Sequence, residues 1–164
     1  VFPLTETWHV LYRNFEEDPA FGTSKCLRFS QVSPEKDGGY PVVAQYGQEN
    51  QSTGGQREGL RRGGRWGGVS KGLITLQSSE GYTAKNEILF HPEGQNQVVT
   101  FVVSYLNPNK CGVNRDPYVN DGACCVLVPE SQLGKDTTCC DFIYSLLCGT
   151  SKYQIYDDSC RAQN

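Results

Sequence analysis

The stretch WHVLYRNFEEDPAFGTSKCLRF, residues 8–29, reads as two β-strands flanking a turn. Aromatic and β-branched residues alternate with polar ones over TWHVLYRNF, residues 7–15, and again over KCLRFSQV, residues 25–32. A period of two marks strands with one buried face. Asp18 precedes Pro19, a pairing that initiates turns, so the chain reverses between the two strands.

The same alternation recurs at YPVVAQYG (40–47), LITLQ (73–77), NEILFH (86–91) and QVVTFVVSYL (97–106), with a further strand at ACCVLVP (123–129). EKDGG and HPEGQN supply turn material between them. Seven or eight short strands at hairpin spacing, followed by one helix, predict an antiparallel sandwich or barrel and not alternating βαβ units. The helix is read from TTCCDFIYSLLCG, residues 137–149. Thr137 or Thr138 can cap its start, Gly149 suits a left-handed stop, and Ile143, Leu146 and Leu147 recur at helical spacing as the stripe to be buried on the sheet. Cys140, Tyr144 and Cys148 share a second face, and Cys139 lies near Ile143.

At 164 residues and 37% hydrophobic content, the chain suffices for one core, and residues 1–164 are expected to form a single domain. A formal charge of -3 gives no general attraction to nucleic acid or to anionic membranes. The longest apolar run, VVTFVVSYL (98–106), is about half the length of a membrane-spanning helix. No nucleic-acid or membrane partner is expected. The one basic cluster lies in GGQREGLRRGGRWGGVSKG, residues 54–72, whose glycines are too dense for a regular strand. It reads as a solvated hairpin tip, or as a basic lip for an anionic ligand or a partner protein; Trp66 within it would cover a ligand or pack on the rim, and the sequon at Asn50 lies just before it.

Eight cysteines, Cys26, Cys111, Cys124, Cys125, Cys139, Cys140, Cys148 and Cys160, form an even set without a C-x-x-C pair, and His9 and His91 lie far from them in sequence. All eight are expected in disulfides, with no bound metal and no cofactor. Such bonds persist in oxidising compartments, so the protein is expected to be secreted, with Val1 as the start of a mature chain after signal-peptide removal.

Residues 8–29 also resemble the first strand and following loop of the tick salivary lipocalins, the histamine-binding-protein family. That pattern is an aromatic strand, then Asp-Pro-x-aromatic-Gly, then a cysteine, matched here by Asp18, Pro19, Phe21, Gly22 and Cys26. The C-terminal region agrees through Cys140, the terminal YDDSC and the spacing from Cys140 to Cys160, and Cys139-Cys140 followed by Asp141 resembles soft-tick members. The resemblance implies an eight-stranded antiparallel lipocalin barrel, mostly β and open at one end, with the C-terminal helix stapled to its outer wall. It also implies the bonds Cys26–Cys160 and Cys111–Cys140; of the four remaining cysteines, Cys124 or Cys125 should reach Cys139 or Cys148.

Family members that capture histamine or serotonin need buried carboxylates, because a desolvated ammonium is costly unless paired. Where they carry Cys-Asp and Glu-Leu-aromatic, this chain reads Cys111-Gly112 and Cys125-Val126-Leu127, and a further family glutamate falls near Gly72. Asp18 alone survives. A pocket of Phe15, Phe21, Leu89, Val99 and Val103, with Asp18 and His91 as polar points, suits an apolar ligand carrying one acidic or hydroxyl group. Burying a fatty chain yields about 0.8 kcal/mol per methylene without any ion pair. The expected ligand is therefore a host lipid mediator, such as a leukotriene, thromboxane or fatty acid. A biogenic amine, or a host protein gripped by loops such as residues 57–65, are the alternatives. Asp18 as a turn former, His91 as a solvated strand end and Phe15 and Phe21 as plain core are the structural readings of the same residues. Without a Ser-His-Asp grouping, a phosphate-cradling motif or metal-ligand spacing, an enzyme is not expected.

Overall fold

The computed structural model describes residues 1–47 and 67–163. The basic residues Arg57, Arg61, Arg62 and Arg65, together with Trp66 and Asn50, lie outside the described residues. Eight strands run as β1 (Trp8–Arg13), β2 (Arg28–Gln31), β3 (Tyr40–Tyr46), β4 (Gly68–Gln77), β5 (Glu87–Pro92), β6 (Val99–Asn107), β7 (Cys111–Arg115) and β8 (Cys124–Pro129). Each pairs antiparallel with the next, and β1 closes the ring by pairing with both β8 and β2. The helix α1 (Thr138–Cys148) follows, and the two-residue β9 (Tyr153–Gln154) adds to the far end of β1.

The barrel wall separates two apolar layers. Phe29, Val42, Ala44, Ile74, Phe90, Val99 and Phe101 point inward, whereas Tyr12, Cys111, Val113, Cys124, Val126 and Val128 point outward against Cys140 and Tyr144 of α1. Alternation along β7 and β8 produces this division, since successive side chains take opposite faces. Two bulges break it. Register shifts between Val10 and Tyr12 in β1, and between Val103 and Tyr105 in β6, insert one extra residue each. Val10 therefore faces the lumen while Tyr12 reaches α1, and Val103 faces the lumen while Tyr105 packs outside.

Two strands differ from the sequence reading. β7, CGVNR, lacks aromatic and β-branched character apart from Val113, and it exists because β6 and β8 pair with it on both sides. β4 begins at Gly68, inside the glycine-rich segment. There, glycine is a steric requirement: a Cβ on Gly72 would lie 2.3 Å from the His91 carbonyl oxygen, and one on Gly68 would lie 2.1 Å from the Tyr46 ring.

The helix spans the expected residues and stops at Gly149, whose φ of 90° is left-handed. Its buried face is a correction. Of the expected stripe, Ile143 packs against the outer cluster, but Leu146 is 66% and Leu147 43% exposed, and the inaccessible residues are Cys140 and Tyr144. Disulfides Cys111–Cys140 and Cys124–Cys148 fix the rotation of α1 on β7 and β8, and Tyr144 packs edge-on against Tyr12 at 4.8 Å. Tyr12 donates its hydroxyl hydrogen to Asp141 Oδ1 at 2.6 Å, and its own proton is held more tightly than usual by burial and by that carboxylate. A third disulfide, Cys26–Cys160, ties the C-terminal turn to the start of β2.

The expectation that all eight cysteines are bridged is also corrected: Cys125 and Cys139 are free thiols. Adjacent strand residues point to opposite faces, so Cys124 meets the helix while Cys125 enters the lumen, out of reach of Cys139 on the outside. Cys139 Sγ lies 3.6 Å from Cys111 Sγ. The Cys111, Cys139 and Cys140 sulfurs lie close together, but two of them are bonded to each other and do not offer a thiolate set for metal.

Candidate functional site

The lumen encloses a cavity of about 360 Å³. Its wall is built from inward positions of seven strands, all but β3, among them Trp8, Phe29, Ile74, Ile88, Phe101, Asn114 and Leu127. Trp8 and Phe29 face each other across the β1–β2 closure, and Ile74 and Leu76 of β4 continue into Ile88 of β5. At one end the N-terminal segment lies over the mouth: Val1, Phe2 and Leu4 line the space, Phe2 packs on Tyr40 at 5.2 Å, and the Leu4 N–H donates to Gln31 Oε1 at 2.8 Å. The polar lining consists of Lys85 and Asn86 at that mouth and Asn114 inside. No carboxylate lines this cavity among the described residues.

The other end is a filled, charged floor. Arg13, almost wholly buried, donates from Nε to the Phe15 carbonyl at 3.0 Å and from Nη2 to the Glu16 carbonyl at 2.8 Å, with its guanidinium 4.8 Å over the Phe15 ring. Its Nη1 makes no hydrogen bond but stands 3.6 Å from Asp18 Oδ2. Asp18 accepts the Tyr118 hydroxyl at 2.6 Å and, through Oδ1, the N–H groups of Ala20 and Phe21. Asp116 completes the group, close enough to Cys125 for an Sγ to Oδ1 contact of 3.7 Å. Burial holds the Asp116 carboxyl well above the usual range and pushes the Cys125 thiol and Tyr118 hydroxyl up as well. Only about 10 Å³ remains open among these groups. The floor closes the barrel with a neutralised cluster.

The residues expected to line one pocket fall into three places. Val103 lines the cavity. Phe15 and Asp18 belong to the floor, while Phe21 and Val99 are packed in the inner core, Phe21 edge-on to Phe29 at 5.7 Å. Leu89 and His91 lie on the outer face, because β5 turns Ile88 and Phe90 inward; His91 Nε2 pairs instead with Thr75 Oγ1 at 2.9 Å. The sequence reading missed Trp8, Phe29, Ile74 and Phe101, whose alternation was visible but whose lumen-facing parity was not. It also missed Asp116 and Asn114, which carry no local signal.

A closed eight-stranded antiparallel barrel with one outer helix, three disulfides and a hollow, apolar lumen is a lipocalin-type ligand-binding protein. The family model for tick histamine-binding proteins matches residues 3–162, and the chain belongs to that family. Among solved structures it is similar to japanin from Rhipicephalus appendiculatus, a structure bound to cholesterol, with a TM-score of 0.59 and 9% sequence identity over 96% of each chain. A search of the curated proteins finds no match. The family and fold are those of small-molecule binders and not of enzymes.

Proposed function

We propose that this protein is a secreted lipocalin, acting as one domain over residues 1–164, that sequesters a host lipid mediator such as a leukotriene, a thromboxane or a fatty acid. The observation that carries the reading is the lining of the cavity. Aromatic and aliphatic side chains make up its body, and the one charged side chain that lines it among the described residues, Lys85, is cationic. An ammonium ligand there would be desolvated without a counter-charge, and the two inward carboxylates, Asp18 and Asp116, sit in the floor beside Arg13 instead. A fatty chain needs no ion pair, and its acid group at the mouth would meet Lys85. A barrel of this fold holds cholesterol in japanin, so the architecture tolerates apolar guests of that size. Trp8, Phe101, Val103 and Leu127 are assigned to contact the body of the ligand.

Trp8 supplies the test, since its indole lines the cavity. Titration with arachidonate, histamine and serotonin, followed by tryptophan fluorescence, should give one-to-one quenching with arachidonate in the micromolar range or tighter and none with either amine. Tight, stoichiometric histamine binding without arachidonate binding would overturn the reading.

A further inference from the structure

Among the described residues, Asn114 is an amide that faces the cavity without a hydrogen-bond partner from the protein. Asn114 is 8% exposed, faces Val103 on β6 and Cys125 on β8, and lines the cavity. Its carboxamide makes no hydrogen bond to any described residue, whereas Asn86, the other amide in the lining, is occupied by Ser79 through both its oxygen and its nitrogen. An amide that the protein leaves unpaired at the cavity wall is free to bond a ligand group, and a ligand that covers it without offering a partner forfeits those hydrogen bonds. Nearby polar groups do not compete for it: Cys125 is engaged with Asp116, and Tyr118 with Asp18.

We propose that Asn114 is the specificity-determining residue of the lumen, and that it selects lipids bearing a hydroxyl group partway along the apolar chain. The proposal rests on the lipid reading above and narrows its ligand class. A carboxamide offers an acceptor oxygen and two donor hydrogens, so it pairs with a hydroxyl in both directions. The position of Asn114 sets where that hydroxyl sits. Asn114 pairs on one side with Val103, whose N–H donates to the Asn86 carbonyl beside Lys85, and on the other with Cys125, which reaches Asp116 of the floor, so it stands between the mouth and the floor. A ligand with its acid at Lys85 would therefore present a mid-chain hydroxyl to Asn114, and one without a hydroxyl would bury the amide unpaired. Sites built to hydrogen-bond a ligand group reject analogues that lack it more strongly than an apolar pocket rejects a mismatch.

The test compares stearate, 2-hydroxystearate, 10-hydroxystearate and 12-hydroxystearate on the intact protein, with Asn114→Leu and Asn114→Val as variants and a thermal melt of each to establish folding. At least one mid-chain hydroxy acid should bind the parent about tenfold or more tightly than stearate and 2-hydroxystearate. In either variant that ratio should fall to within about twofold, with stearate affinity unchanged or improved. Equal binding of all four acids by the parent, or the same ratio retained in the variants, would overturn the role of Asn114 and leave the lipid reading standing. Binding of none of them would remove both.

Discussion

Arg13 Nη1 and Asp18 Oδ2 face each other at 3.6 Å with both side chains essentially inaccessible, so the floor of the barrel holds an ion pair cut off from water. The guanidinium is kept there by the backbone carbonyls of Phe15, Glu16 and Gly22 and by the Phe15 ring. It takes the place in which a cationic ligand would have to meet Asp18.

Replacing Arg13 by methionine keeps most of the apolar stem and removes the charge. Asp18 would then be buried without its counter-ion, and about 3–5 kcal/mol of stability should be lost in urea unfolding. Asp18→Asn in the same chain should recover part of that loss. Unfolding of Arg13→Met at the parent's urea midpoint would show that the pair contributes nothing.

Asp116 gives a pH dependence of defined sign. Its folded-state pKa is raised by burial above the ordinary 3.8, so the native chain keeps a proton that the unfolded chain releases. That contribution is complete below about pH 3.8 and is lost as pH rises toward the folded pKa. Asp116→Asn removes the penalty, and its gain in Tm over the parent should be larger at pH 7.5 than at pH 4. His9 slopes the other way: burial lowers its pKa from 6.5 against the opposing pull of Glu130, so stability falls as pH drops below about 6.5. His9→Gln should flatten the acid side of the Tm curve, and an unchanged curve would count against a buried, neutral imidazole.

The thiols distinguish inside from outside. Cys139 is half-buried on the outer wall and Cys125 is buried in the lumen. A maleimide should label one cysteine in the native protein and two after unfolding without reductant, with Cys139 identified as the native site by peptide mapping. Labelling of both in the native state, or of neither after unfolding, would contradict this pairing. Removing Cys124–Cys148 by serine substitution at both ends opens a loop of sequence separation 24 and should cost about 3 kcal/mol in denaturant unfolding.

Local sequence determined a good deal of this protein. Period-two alternation located seven of the eight barrel strands, helical spacing and Gly149 bounded α1, and the cysteine positions matched a family pattern that contains the Cys26–Cys160 and Cys111–Cys140 bonds formed here. These are properties of neighbouring residues, and neighbours are what a sequence displays. Which face each residue takes was decided by the tertiary structure. Bulges at Leu11 and Ser104 reset the parity of β1 and β6, β7 formed through pairing partners on both sides, and two disulfides rotated α1 so that Tyr144 is buried while Leu146 is exposed. The gathering of Arg13, Asp18 and Asp116 at the floor, and the isolation of Asn114 in the lumen, have the same origin. Closing a barrel brings residues about a hundred positions apart into contact, as with Tyr118 and Asp18, and the energy of such a contact belongs to the pair rather than to either stretch of chain.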